Sequence, residues 1–259
     1  MRNVLAIAKK ELYIYFTTPI AYVAFFATSF IGSFFFLSLT AGFQRTSMQY
    51  MQYQAPQMLE RMNLTDMVVV PLIINMGVIF IFVVPFLSMR LFAEETRQKT
   101  MELLMTAPVR SIDIVLGKYI AALGMVAVLV GITAIFPGLL AKFGGGGIEW
   151  QTAAVGLLGL FLCGAAFMAI GLFVSALTES QVVAALITFM VLLLTWVVSW
   201  KAHEAEGIMK EVLTQLSSVT HLISPARGAP ELKDVIYFLS AVILGLFLTH
   251  RAIEARRWA

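Results

Sequence analysis

The chain has 259 residues, of which 60% are hydrophobic and 13% are charged, and its formal net charge is +3. Soluble domains average about 25% charged residues, so this composition excludes an ordinary soluble protein and indicates an integral membrane protein. The basic residues flank apolar segments and form no basic face, which argues against a nucleic-acid partner. The single cysteine, Cys163, lies in an apolar run, so we expect a small core residue without a redox role.

The beginning of the chain predicts an interfacial helix and no cleavable signal peptide. Val4–Ala8 is too short for the apolar core of a signal peptide, and charged residues interrupt it directly afterwards. Apolar residues recur at helical spacing over residues 2–16, which predicts an amphipathic helix that lies on the membrane before the first span. Its central residues are Lys9, Lys10, Glu11 and Leu12.

Six apolar segments predict membrane spans, since a hydrocarbon core of about 30 Å requires about 20 apolar residues. The segments are Ile20–Ala41, Met67–Met89, Lys118–Leu140, Thr152–Leu177, Val182–Trp200 and Val235–Thr249. The last one is short, but a basic cluster follows it and supports it as a span. With six spans, eleven Lys and Arg residues fall on the side of the termini and seven on the other side. The positive-inside rule therefore predicts cytoplasmic termini and a single all-α transmembrane domain over residues 1–259.

Two of the segments predicted to lie outside differ in character. Gln44–Asp66 is polar and predicts an external loop without evident chemistry. In Ile208–Ile223, apolar residues form one stripe at helical spacing. The members of this stripe are Ile208, Val212, Leu216, Val219 and Ile223. The segment is too polar to span, so we expect it at the outer interface or dipping partway into the membrane.

The polar residues near the spans offer little chemistry. No Asp, Glu, Lys, Arg or His lies near the middle of a predicted span, which argues against a proton- or sodium-coupled carrier. Asn75, Thr188 and Thr195 are expected to form hydrogen bonds between helices. The three histidines, His221 among them, have no metal-ligand spacing and are expected to be solvated or interfacial. No P-loop motif or catalytic constellation occurs, so we predict no enzyme activity, cofactor or metal in this chain.

The most informative segment is Met89–Pro108, which places three acids and three bases between the second and third spans. Thr96 is expected to cap the start of a short helix that Pro108 ends. The segment is either a solvated loop between spans or a docking helix for a cytoplasmic partner. The predicted docking helix comprises Glu94, Glu95, Thr96, Arg97, Gln98, Lys99, Thr100, Met101, Glu102, Leu103, Leu104, Met105 and Thr106.

At this segment the sequence resembles the permease subunits of ABC-2 type transporters. The resemblance extends to most of the chain. Its further parts are Lys10–Leu12 with Thr18–Tyr22, Asp113–Lys118, Gly171–Gln181, Arg227-Gly228, Lys233–Ser240 and Arg251–Trp258. The end of the chain is similar to a subgroup named after bacterial gliding motility.

The resemblance implies the permease subunit of an ATP-binding cassette exporter, multi-pass in the bacterial inner membrane. It implies a homo- or heterodimer of permeases, two copies of a separate ATPase that bind ATP and Mg²⁺, contact with membrane lipid, and in some systems a periplasmic accessory subunit. Residues 94–106 would then be the coupling helix in a groove of the ATPase, supported by the helix at residues 2–16. The segment 208–223 would match external re-entrant helices that close the outer end of the pathway.

A second class of function needs the same docking helix. In that alternative, the chain is a membrane anchor through which an ATPase acts mechanically on a periplasmic complex, such as gliding machinery, without substrate translocation. If the chain is a permease, its apolar spans favour a lipid-like or amphipathic substrate.

Overall fold

The computed structural model describes residues 2–53, 57, 62–101, 109–144, 147–204 and 206–257. Its helices, in chain order, are α1 (Arg2–Thr17), α2 (Pro19–Gln52), α3 (Val70–Ser88), α4 (Arg90–Arg97), α5 (Ser111–Phe143), α6 (Trp150–Leu177), α7 (Gln181–Glu204), α8 (Gly207–Leu216), α9 (Ser218–Ala226) and α10 (Leu232–Arg257). A π-helical turn at Thr65–Val69 leads into α3. Among the described residues, α2, α3, α5, α6, α7 and α10 are long and apolar enough to cross a membrane. This confirms the predicted all-α membrane fold with six spans.

Two spans form the centre of the bundle. In α3 and α6, 67% of the most apolar window is buried inside the protein, against 22% in α2, α7 and α10. Small residues explain why α6 can be central, because Ala165, Ala166 and Ala169 are buried where neighbouring helices approach. The remaining spans surround this pair and leave a broad apolar surface for lipid.

Helix α2 is longer than its predicted span. Its 34 residues extend over about 51 Å at 1.5 Å per residue, well beyond a hydrocarbon core of about 30 Å. The prediction of a loop from Gln44 onward is therefore wrong up to Gln52. The physical reason is local, because no proline interrupts the helix there and its Gln, Met and Arg residues are good helix formers.

The two ends of the bundle carry different elements. Helices α1 and α4 lie at the end that holds both termini, together with the start of α5 and the last turns of α6 and α10. We call this the inner end, since the positive-inside rule predicts it to be cytoplasmic. Helices α8 and α9 lie toward the opposite, outer end, between α7 and α10 in the chain.

The segment after α7 folds back on itself. Ser217 separates α8 from α9 and caps the start of α9 by accepting a hydrogen bond from the Thr220 backbone N–H at 3.3 Å. Helix α9 packs on α6, α3 and α7, whereas α8 has no buried residue. The prediction of a single apolar stripe is wrong, because the extended backbone of Ser217 divides the segment into two helices. The buried face belongs to α9 alone and consists of Ser218, His221, Leu222, Pro225 and Ala226.

Candidate functional site

A buried ion cluster joins three helices at the inner end. The Lys118 ammonium, on α5, lies 2.8 Å from Glu11 Oε1 and 2.9 Å from Glu95 Oε1. Only 2% of the Lys118 side chain is exposed, and its Nζ lies 5.1 Å from the centre of the Phe92 ring. One cation therefore holds α1 and α4 against the start of the third span. The sequence shows Lys118 at the start of the third predicted span and at the end of Asp113–Lys118, and neither position indicates a buried ion pair.

Lys10 completes this cluster from the surface of α1. Its Nζ lies 3.3 Å from Glu95 Oε1 and 3.6 Å from Glu11 Oε1. Burial lowers the Lys10 pKa, but the charges of the two carboxylates outweigh burial, and the net effect raises the pKa above its ordinary value. Two ammonium groups thus balance two carboxylates, and this pairing offsets the cost of removing Lys118 and Glu11 from water.

A second set of contacts fixes the bend between α3 and α4. The Arg90 guanidinium donates to Thr18 Oγ1 at 2.7 Å and pairs with Glu94 at 3.2 Å. The Tyr15 hydroxyl donates to the Leu87 carbonyl oxygen at 2.7 Å. Burial, together with the negative charge of Glu11, raises the Tyr15 pKa, so this hydroxyl stays a neutral donor. The junction of α1 and α2 is thereby tied to the junction of α3 and α4.

Ser175, near the end of α6, caps α4 from outside. Its Oγ accepts hydrogen bonds from the backbone N–H groups of Phe92 and Ala93, at 3.0 and 3.1 Å, and donates to the Met89 carbonyl oxygen at 2.9 Å. The first N–H groups of a helix have no partner within that helix. A side chain from a distant span therefore does what a local cap residue usually does, and α4 begins at Arg90 for this reason.

The last turn of α4 is held by α10. Arg256 donates from Nη1 to Thr96 Oγ1 at 3.1 Å, and the Thr96 hydroxyl donates to the Phe92 carbonyl oxygen at 3.1 Å. Thr96 lies in the last turn of α4, so the prediction that it caps the start of a helix is wrong. The charged segment therefore contacts α1, α5, α6 and α10, and also Thr18 between α1 and α2.

The exposed part of the charged segment begins where α4 ends. Lys99 adopts a left-handed backbone conformation with φ of 57°, and the four residues from Arg97 to Thr100 are exposed. Glu95 points inward to Lys118, Glu94 is half-buried, and Met101 is buried. The remaining predicted docking residues, Glu102, Leu103, Leu104, Met105 and Thr106, lie outside the described residues.

Helix α1 (Arg2–Thr17) lies where the sequence predicts an interfacial helix, and its position at the membrane surface stays a prediction. In α1, Lys9 and Lys10 are exposed, Leu12 is half-buried and Glu11 is buried, and the helix packs mainly on α5. Glu11 reaches Lys118 because both face the same contact between α1 and α5. No pattern in the sequence links two residues so far apart in the chain.

A second polar cluster lies toward the outer end. His221 Nδ1 lies 2.7 Å from Asp234 Oδ1, and each side chain is 1% exposed. The Tyr237 ring stacks on the His221 ring with centroids 4.2 Å apart. The prediction of a solvated or interfacial His221 is wrong, because the turn between α9 and α10 brings a carboxylate to it and both helices pack over the pair.

An apolar groove lies between α2 and α3. Its volume is about 490 Å³, and residues such as Ala27, Ile31, Phe82 and Val83 line it. Asn75 also lines the groove, but its amide donates to the Pro71 carbonyl oxygen of its own helix, so the predicted bond between helices is wrong there. Thr195 does form one, with Ser218 of α9 at 3.1 Å. Within the described residues, no group of three His, Cys, Asp or Glu side chains could hold a metal ion.

Comparison with known proteins identifies the family. A family model described as ABC-2 family transporter protein matches residues 5–246, a range that includes the charged segment, the folded-back helices and most of the last span. The chain belongs to the ABC-2 transporter family. Members of this family supply the membrane subunit of an ABC transporter, and the match confirms a multi-pass membrane protein. No curated protein matches the chain. The match is to the family as a whole, and the resemblance to the gliding-motility subgroup stays a prediction.

Proposed function

We propose that this chain is the permease subunit of an export-type ABC transporter in the bacterial inner membrane. In this proposal, a separate ATPase binds the charged segment and displaces it during its cycle of ATP binding and hydrolysis. The supporting observation is the convergence of contacts on α4. Lys118 joins it to α1 and α5, Ser175 to α6, and Arg256 to α10. A force applied to α4 therefore reaches the inner ends of several spans at once.

The docking surface in this proposal begins at the exposed turn after α4. Arg97 and Lys99 are exposed there, and the backbone turns at Lys99, which is left-handed. Glu95 has a different role, because its carboxylate is engaged by Lys118 and Lys10 inside the protein. Glu95 supports the segment, and its neighbours past Thr96 meet the ATPase.

The complete transporter would contain two permease subunits, alike or different, and two ATPase subunits that bind ATP and Mg²⁺. ATP binding would close the ATPase dimer and displace α4, and the displaced spans would open a pathway between the permeases. The groove between α2 and α3, with its almost entirely apolar lining, favours a lipid-like or amphipathic substrate. The groove also favours transport over a purely mechanical anchor, which needs no such cavity.

Site-specific photocrosslinking in the source cell tests the docking surface. A benzophenone amino acid at Lys99 should form an adduct with an ATPase subunit that carries a nucleotide-binding motif. The same amino acid at Met48, exposed on the outer part of α2, should form none. Crosslinking of the ATPase from Met48, or from neither position, contradicts the proposal.

Charge reversal then tests coupling in the purified complex. The double variant Arg97→Glu, Lys99→Glu should lower ATP hydrolysis by about tenfold, within the usual range of coupling free energies, without lowering the amount of chain in the membrane. The matched control Arg45→Glu, Lys142→Glu makes the same charge change on the outer side and should leave hydrolysis unchanged. In proteoliposomes, ATP-dependent movement of a fluorescent lipid analogue supports transport, whereas hydrolysis without any flux supports the mechanical anchor.

A further inference from the structure

Helix α10 carries a polar contact to another part of the protein at each of its ends. At the inner end Arg256 donates to Thr96, in the charged segment. At the outer end Asp234, in the first turn of α10, pairs with His221 of α9. The two attachment points lie 22 residues apart in one unbroken helix (256 minus 234), a distance of about 33 Å.

The outer attachment is built from several bonds. Asp234 Oδ2 accepts a hydrogen bond from the Glu231 backbone N–H at 3.2 Å, which fixes the carboxylate and leaves Oδ1 for His221. One turn later, the Tyr237 hydroxyl donates to the Leu216 carbonyl oxygen at 3.1 Å, at the end of α8. The first turns of α10 therefore hold both folded-back helices.

Helix α9 sits in a close-fitting seat on the central span α6. A Cβ added to Gly159 would lie 2.5 Å from the Pro225 Cβ, a distance that real contacts do not reach, so only glycine admits α9 here. Cys163, four residues further along α6, lies beneath α9 and shares a small cavity with Ser218 and Leu222. The Cys163 side chain is buried, and its exposure would report any displacement of α9.

Between its two ends, α10 contacts α6 through apolar groups. A Cβ added to Gly245 would lie 2.9 Å from the Ala169 backbone, so the two helices approach closely at small residues. No side-chain hydrogen bond joins α10 to α6 in the part of the chain that the structure describes. Apolar contacts are non-directional, so they resist separation of the two helices more than sliding of one along the other.

We propose that α10 is a rod that couples the charged inner segment to the folded-back helices α8 and α9, with Arg256 as its inner attachment. His221 is the positioning residue of the outer attachment. This inference extends the proposed function, because a displacement of α4 would move α9 relative to α6 and open the outer end. The proposal rests on two polar contacts of the same helix. Arg256 bonds to the charged segment at the inner end, and Asp234 bonds to α9 toward the outer end.

The reactivity of Cys163 tests the outer attachment in the full chain alone. The purified protein in detergent micelles is treated with N-ethylmaleimide, and intact mass spectrometry follows the labelling of this single thiol. His221→Ala should raise the labelling rate by about tenfold or more, because the probability of opening rises when the bond to Asp234 is lost. His221→Asn should stay within about twofold of the unmodified chain, because an Asn amide can donate to Asp234 from nearly the place of Nδ1.

Substitutions at the other end of α10 test the coupling. Arg256→Gln should raise the labelling rate of Cys163 by about threefold or more, although the two residues lie far apart. Arg251→Gln removes the same charge from the same helix and should have no effect, because this side chain contacts Glu254 and the Phe247 ring within α10 itself. In a His221→Ala background, Arg256→Gln should add nothing, because α10 is then no longer bonded to α9 through Asp234.

The rod and its outer attachment are contradicted by different results. Equal labelling rates for Arg256→Gln and Arg251→Gln would overturn the rod, and an unchanged rate for His221→Ala would overturn the outer attachment. A cysteine at Ala122, buried in α5, in a chain with Cys163→Ala reports global unfolding and should label slowly in every variant. If His221→Ala lowers the folded yield, the pair of arginine variants still decides the question.

The labelling experiment needs no ATPase, so its failure leaves the docking proposal standing. Conversely, if Lys99 forms no adduct with an ATPase, Arg256→Gln can still raise the labelling rate of Cys163. The two proposals can therefore fail separately.

Discussion

The ion cluster at the inner end and the histidine–carboxylate pair toward the outer end both place charged or polar groups away from water, but they are built differently. Lys118 and Glu11 lie 107 positions apart in the chain, and the cluster joins three helices with four charged groups. His221 and Asp234 lie 13 positions apart and form a single link between neighbouring helices. The inner cluster therefore unites three helices, whereas the outer pair is one bond between two helices, and substitution of His221 alone removes that bond.

The largest expected effect is the loss of Lys118. Lys118→Met leaves the Glu11 and Glu95 carboxylates together without their buried cation, which should cost about 3–5 kcal/mol of stability. Thermal or denaturant unfolding in detergent measures this loss. The triple variant Lys118→Met, Glu11→Gln, Glu95→Gln should recover most of it, because no uncompensated charge remains. A stable single variant would show that the cluster does not hold the inner end.

Removal of the external cap on α4 should have the next largest effect. Ser175→Ala leaves two N–H groups and one carbonyl oxygen of the α4 start without their partner, at a cost of about 3 kcal/mol. Ser33→Ala is the matched control, since the Ser33 hydroxyl is exposed and bonds only within its own helix. Amide hydrogen exchange should show faster exchange in α4 for the first variant only. Equal exchange rates in both variants would show that Ser175 does not stabilise the start of α4.

The close contact between α9 and Gly159 of α6 provides the corresponding test at the outer end. Gly159→Ala places a methyl group against Pro225 and should cost about 2 kcal/mol, as overpacking of a tight contact does. It should also raise the labelling rate of Cys163. Gly131→Ala is the control, because a Cβ there meets nothing within 4 Å and should stabilise α5 by about 0.5–1 kcal/mol. Slow labelling of Cys163 in Gly159→Ala would show that the contact between α6 and α9 accepts an added methyl group.

Lys10 should show the smallest effect, although it pairs with the same carboxylates as Lys118. Because 56% of its side chain is exposed, Lys10→Gln should cost less than about 1 kcal/mol. The raised pKa means that its contribution is present below the ordinary value of 10.5 and disappears only as the pH rises through the raised pKa. Unfolding measured from pH 7 to pH 10 should therefore be parallel for the variant and the unmodified chain. A cost similar to that of Lys118→Met would mean that burial does not distinguish the two lysines.

The sequence predicted the residues of the inner site only in part. Composition and position identified the charged segment as the place to look, and the exposed residues Arg97 and Lys99 belong to it. The supporting residues were missed. Ser175 is an ordinary serine near the end of a span, and nothing in its neighbourhood indicates a cap for a helix that begins 85 residues earlier (175 minus 90). Glu95 had the same apparent role as Glu94 until the structure placed its carboxylate against Lys118.

The outer site was missed for a similar reason. His221 lies in a short, moderately polar segment, and its spacing to Asp234 matches no helical period. The stripe from Ile208 to Ile223 suggested one helix, because periodicity alone does not reveal that Ser217 starts a new helix in another direction. The break depends on a local cap at Ser217, and the position of α9 depends on the close contact of Pro225 with Gly159.

The sequence by itself determined that this is a six-span all-α membrane protein and that a charged segment interrupts the spans. These properties follow from apolar length, because a bilayer admits only helices with satisfied backbone groups. Only the tertiary structure decided which charges are buried, which of them pair, and that α10 contacts both the inner segment and the folded-back helices. Pairing depends on the directions in which side chains leave helices that are far apart in the chain, and a one-dimensional pattern does not contain those directions.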